Sequence, residues 1–229
     1  MAQSLDKAVP WGRTFDEYVR MFDLSAANLA SRILDCAGGP ASFNGEVRRL
    51  GGKAVSCDPI YEFSPAEIAR RVEETRDTIL RMTGEAREHF VWREITSVEH
   101  LSQIRMAAMQ QFLDDLPAGV SEGRYRVAEL PALRFRDAEF DLALCSHFLF
   151  TYSDILSLEF HLASIRELCR VACEARIFPL LSSFGSEHSP HLANVITTLT
   201  SEGYRCELQR VPYEFQKGGN EMLRVCAAR

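Results

Sequence analysis

Short, almost continuous apolar runs alternate along the chain with longer stretches whose apolar residues recur every three or four positions. The first kind predicts buried strands and the second amphipathic helices. Phe15, Tyr18, Val19 and Phe22 keep helical spacing within residues 14–30. Arg32–Cys36 (RILDC) is an apolar run that ends in the turn Ala37-Gly38-Gly39-Pro40-Ala41. Residues 41–50 put Phe43, Val47 and Leu50 on one side of a helix, which Gly51-Gly52 stops. Residues 54–57 form a second strand that ends at Asp58-Pro59. Strand, turn, helix and strand in ~25 residues make a βαβ unit, because parallel strands need a crossover.

Residues 62–124 break this rhythm and contain no convincing strand. Ile68, Val72, Thr75, Ile79 and Met82 mark one amphipathic helix; Leu101, Ile104, Ala108, Phe112 and Leu116 mark another. The stretch reads as a helical insertion between the second and third strands, with eight arginines against twelve acids. An insertion on this rim of an α/β sheet is expected to lie over a ligand crevice as a lid.

The strand pattern then resumes at residues 125–130, at 140–146 (FDLALCS) and at 173–178. Helices are expected over 158–171, on Leu158, Leu162, Ile165 and Leu168, and over 191–202. Residues 204–211 and 222–227 are two final strands joined by PYEFQKGGNE, too short for a crossover helix and therefore an antiparallel hairpin. The predicted fold is a single α/β domain over 1–229. Its doubly wound, seven-stranded, mostly parallel sheet ends in an antiparallel hairpin and carries the helical insertion at about 62–124.

Composition narrows the function classes without naming one. The chain has 229 residues, 46% hydrophobic and 25% charged, ordinary for a globular domain. No apolar run approaches the ~18 residues of a membrane span, and the start lacks a basic segment followed by an apolar core. The expectation is a cytoplasmic protein with no membrane partner. A net charge of −6 argues against nucleic acid as a partner. Cys36, Cys57, Cys145, Cys206 and Cys226 fall in apolar runs, and no C-x-x-C pair occurs, which suits a reducing compartment. Cys169 and Cys173 have the spacing to share a helix face, but two ligands make no zinc site. His188 and His191 flank Pro190, again too few ligands, so no metal is expected.

Three pieces together carry candidate chemistry. The turn after the first strand, with Asp35 at its mouth, lets backbone pass close to a ligand ahead of a helix N-terminus. Asp58 closes the second strand, 19 residues past Gly39, where a carboxylate can accept hydrogen bonds from the vicinal hydroxyls of a ribose. Glu129 closes the third strand, on the far side of the same crevice. Their order along one chain points to an adenosine-containing ligand across the carboxyl ends of strands one, two and three.

On ILDCAGGPASF, CDP, AELPALRFRDAEFDLALCSH and the terminal hairpin, the sequence resembles the class I S-adenosylmethionine-dependent methyltransferases. The resemblance covers the chain outside the insertion. The start VPWGRTFDEY and the run DPIYEFSPAEIARRVEETRD also look like a group of bacterial proteins of this kind. It implies that Asp35 and the turn Ala37, Gly38 and Gly39 hold the methionine part of S-adenosylmethionine. Asp58 and Pro59 would then meet the ribose, Ile60 would pack on the adenine, and Glu129 with the Leu130 amide would read its edge. Ser146 would border the cofactor at the end of strand four. Trp11, Arg13 and Tyr18 precede strand one, a segment that covers the cofactor in such folds, and Arg13 would pair with its carboxylate. The family pattern D-x-G-x-G-x-G is only partly kept, since Ala37 and Ala41 replace the outer glycines. A nicotinamide-dinucleotide Rossmann domain is the competitor, but Pro40 and Phe43 suit its G-x-G-x-x-G poorly.

The implied activity is in-line methyl transfer to a small-molecule acceptor, leaving S-adenosylhomocysteine, by a monomer or homodimer. His147, at the end of strand four, and Tyr152, in the loop after it, are the candidate catalytic residues, with His147 as the general base. The alternative is a non-catalytic or non-methylating cofactor-binding protein that uses the insertion to dock a partner.

Overall fold

The apolar runs become adjacent strands at the centre of one sheet. In the computed structural model, which describes residues 9–183, 185 and 187–227, β1 (Arg32–Cys36) pairs with β2 (Lys53–Cys57) on one side and β4 (Phe140–Ser146) on the other. β3 (Tyr125–Arg126) lies outside β2, and β5 (Ala172–Phe178) lies beyond β4. The hairpin of β6 (Tyr204–Arg210) and β7 (Glu221–Ala227) completes a seven-stranded sheet in the order β3-β2-β1-β4-β5-β7-β6. All pairings are parallel except those of β7 with β5 and β6. The strand order reverses between β1 and β4, so the crevice outside their carboxyl ends is where such a sheet binds ligands.

Both faces of the sheet are covered, and the period-two alternation shows how. Leu34, Cys36, Ala143 and Cys145 belong to one core, together with Ile165 and Leu168 of α6 (Leu158–Val171) and Val195 and Leu199 of α7 (Leu192–Ser201). Ile33, Leu142 and Leu144 point the other way. They meet Tyr18 and Met21 of α1 (Phe15–Met21) and Phe43 and Val47 of α3 (Phe43–Arg49). The segment read as one helix from 14 to 30 is two, α1 and the short α2 (Ala26–Leu29), because Thr14 and Ser25 each build a capping box.

Residues 62–124 hold α4 (Pro65–Glu85) and α5 (Val98–Ser121). α5 packs on α3 and leads into β3, so it is the crossover that two parallel strands require. α4 packs on α5 through Ile68, Val72, Met109 and Phe112.

Four further expectations are corrected. The third strand is short, because β2 ends at Cys57 and the chain then turns at Asp58-Pro59, leaving residues beyond Arg126 without a partner. Cys173 lies on β5 while Cys169 lies on α6, so they share no helix face. Leu50 is 56% exposed at the end of α3. On α5 the buried row passes through Arg105, not Ile104. Among the described residues no helix is long and apolar enough to cross a membrane, and no cluster of potential metal ligands occurs.

Candidate functional site

A cleft of about 780 Å³ opens at the carboxyl ends of the central strands. Its floor is the turn after β1. Ala37 and Gly39 both adopt a φ of +54°, a left-handed conformation that costs Ala37 strain and Gly39 little. Gly38 passes so close to Asp35 that an added Cβ would lie 2.3 Å from Oδ2. The Asp35 carboxylate is buried beneath the turn. It accepts from the Tyr18 hydroxyl (3.0 Å) and the Ser56 hydroxyl (2.9 Å). Burial pushes its pKa up to about 7, although the two hydroxyls work against the rise. Asp35 thus supports the turn from below, while Ala37, Gly38 and Gly39 line the cleft.

Asp58 stands across from the turn. Its Oδ2 accepts from the Gly39 amide at 3.0 Å and its Oδ1 from the Ile60 amide at 2.8 Å. Both oxygens are fixed by backbone, and each keeps a further lone pair for a ligand. Burial raises its pKa, the two amides oppose this, and the nearby charge of Glu129 adds to the rise. Tyr61 locks the same corner by donating its hydroxyl proton to the Gly39 carbonyl (2.8 Å). Pro59, Ile60, Glu129, Leu130, Ser146, Arg13 and Tyr18 line the cleft as well. Every predicted cofactor residue except the underlying Asp35 therefore borders one cleft.

A smaller cavity of about 130 Å³ adjoins it. His147, Tyr152, Trp11 and Arg13 line both spaces and form the boundary between them. His147 sits at a φ of +49°, with its amide donating to the Phe178 carbonyl (2.6 Å) and its Nδ1 2.9 Å from Ser146 Oγ. Burial, then the charges of Arg13 and Arg105, holds its pKa well below the usual value, so the ring is neutral near pH 7. The Tyr152 hydroxyl accepts from the Val9 amide (3.1 Å). α4 spans both spaces: Arg71, Glu74 and Thr75 face the larger, Ile79 and Thr83 the smaller.

No family model matches the sequence. The chain is 35% identical, over 221 residues and 96% of both chains, to the "Uncharacterized protein MJ0045" of Methanocaldococcus jannaschii. It belongs to the same family as that protein. Among solved structures it is similar to a magnesium protoporphyrin IX methyltransferase from Synechocystis PCC 6803 with bound SAM. That match has 12% identity, covers 93% of this chain and 78% of the other, and has a TM-score of 0.47. A SAM-dependent methyltransferase from Aquifex aeolicus matches at 13% identity, 92% and 87% coverage and a TM-score of 0.44.

The site of this family member also holds residues that sequence reading missed. Glu17 and Arg105 form a buried ion pair, with Arg105 Nη2 2.7 Å from Glu17 Oε1 and Arg105 Nη1 on Oε2. The Tyr213 hydroxyl donates to the same Oε1 at 2.8 Å. The available signal was an arginine standing in the row Leu101, Arg105, Ala108, Phe112. Thr151 and Gln216 carried no signal. Of the residues weighed for metal, His188 meets Glu221 (3.3 Å) and His191 Nε2 meets the Leu156 carbonyl (3.1 Å). Glu174 of β5 pairs with Arg176 (2.6 Å) and Arg224 (2.7 Å).

Proposed function

We propose that this protein is an S-adenosylmethionine-dependent methyltransferase acting on a small-molecule acceptor. The observation that carries the reading is the Asp58 carboxylate, bound by the Gly39 and Ile60 amides across a cleft at the strand switch point. A carboxylate held this way accepts two hydroxyl hydrogen bonds without reorganising. In this reading Asp58 and Pro59 meet the ribose, Ile60 packs on the adenine, and Glu129 with the Leu130 amide reads the adenine edge. Ala37, Gly38 and Gly39 pass beneath the amino-acid end, Asp35 and Tyr18 brace that turn, and Ser146 borders the sulfur. The cofactor supplies an electrophilic methyl group on a sulfonium, so the protein's work is positioning and exclusion of water.

In the same reading the acceptor meets His147 and Tyr152, which line both the cleft and the smaller cavity. A neutral His147 accepts a proton when the acceptor is a hydroxyl or a protonated amine. α4 acts as the lid over both spaces. Calorimetry with S-adenosylhomocysteine tests the reading: micromolar binding is expected, and no heat at high micromolar ligand overturns it. Incubating the protein and cell extract with methyl-labelled cofactor then asks, by mass spectrometry, for a labelled small product.

A further inference from the structure

Arg13, Arg105 and Thr151 line the smaller cavity, and each carries a sealed polar atom without a hydrogen-bond partner: Arg13 Nε, Arg105 Nε and Thr151 Oγ1. Among the described residues only Ser42 Oγ and Ser164 Oγ share that condition. Unmet polar atoms are costly in a folded protein, so their gathering around one cavity points to a polar ligand there.

The charges say what kind. Arg105 is spent on Glu17. Arg13 donates from Nη1 to the Trp11 carbonyl (2.7 Å), a neutral acceptor. No aspartate or glutamate lines the cavity. Two guanidinium groups thus share one carboxylate, and one positive charge is left over. Burial, with Arg105 close by, lowers the Arg13 pKa to about 10, although the shared charge of Glu17 works against the fall. Ile79, Phe90, Leu101, Phe178 and Phe215 make the rest of the wall apolar. A volume of about 130 Å³ suits one ring or a short chain, since an apolar cavity of ~150 Å³ takes a benzene.

We infer that this cavity binds a small monocarboxylate. Its carboxylate sits on Arg13 and Thr151, its apolar body lies against Ile79, Leu101 and Phe178, and its reacting end faces His147. That this ligand is the methyl acceptor rests on the methyltransferase reading; that the cavity takes a carboxylate does not. It also assigns Arg13 to the acceptor rather than to the cofactor's carboxylate.

The test is calorimetry with benzoate and its neutral counterpart benzamide, on the protein alone and saturated with S-adenosylhomocysteine. Benzoate is expected to bind about tenfold or more tightly than benzamide, since a charge-assisted pair is lost in the amide. Arg13→Met should lose benzoate and keep S-adenosylhomocysteine, whereas Asp58→Ala should do the reverse. Thr151→Val, a smaller change to the fold, should weaken benzoate alone. Equal binding of benzoate and benzamide, or no binding of either, overturns the inference. So does loss of S-adenosylhomocysteine but not benzoate in Arg13→Met. Benzoate binding without any S-adenosylhomocysteine binding upholds the carboxylate site and overturns the methyltransferase reading.

Discussion

Glu17 and Arg105 stand 88 positions apart in the chain and meet as a two-point ion pair, with Arg105 only 1% exposed. The pair joins α1 to α5, and its Arg105 lines the smaller cavity. Removing one partner leaves a buried charge, so Arg105→Met should cost about 3–5 kcal/mol in urea unfolding. Adding Glu17→Gln should recover most of that loss. The pair also predicts acid lability. Burial works against the ionised Glu17, but Arg105 holds its pKa well below the usual range. The resulting stability is present above the unfolded value of ~4.3 and is lost as pH falls below it.

Gly38→Ala should disable the cleft. The new Cβ would lie 2.3 Å from Asp35 Oδ2 and 3.1 Å from the Tyr61 hydroxyl. Asp35 cannot yield, because Tyr18 and Ser56 pin both its oxygens. Affinity for S-adenosylhomocysteine should fall by about tenfold or more by calorimetry, with a lowered Tm. Gly84→Ala is the contrast. Its Cβ would meet nothing nearer than Val98 Cγ2 at 3.7 Å, within α4, so it should stabilise by ~0.5–1 kcal/mol.

Legibility in the sequence followed how local each cause was. β1 and β4 were readable to the residue because each is an apolar run bounded by polar or glycine positions and buried on both faces. Residues 125–130 carry comparable apolar content, yet pairing there depends on where β2 stops, which is set at Pro59 far along the chain. The cleft residues were readable because Gly39 and Asp58 belong to one βαβ unit with fixed geometry. Arg105 was not, since an arginine on a helix reads as surface until Glu17 is known to lie opposite. The smaller cavity draws its wall from α4, α5, the loop after β4 and the β6–β7 connection, and no single segment announces it.

Asp35→Asn should raise stability at alkaline pH. Burial puts the folded pKa at about 7, above the unfolded value of ~3.9. A carboxyl raised in this way gives stability that is fully present below ~pH 4 and is lost as pH rises through about 7. The neutral amide removes that dependence. Thermal melts should show the variant and the parent close near pH 4 and the variant ahead at pH 8, by up to ~4 kcal/mol. A parent Tm that rises steadily from pH 5 to pH 8 through this site would contradict the assignment.

His147 should stay neutral far into the acid range. Burial and the two arginines depress its folded pKa below the unfolded ~6.5, so its neutral form favours folding. That contribution is fully present above pH ~6.5 and is lost as pH falls through the depressed value. The imidazole resonance of His147 should therefore not move between pH 8 and pH 6 in the parent protein. Arg13→Met removes one of the charges that depress it, and bound benzoate would offset the same charge. Both should shift the His147 titration upward, and Arg13→Met should cancel the shift that benzoate causes. If His147 titrates near 6.5 in the unliganded parent, neither arginine controls it, and a base held neutral by its surroundings is the wrong description of this residue.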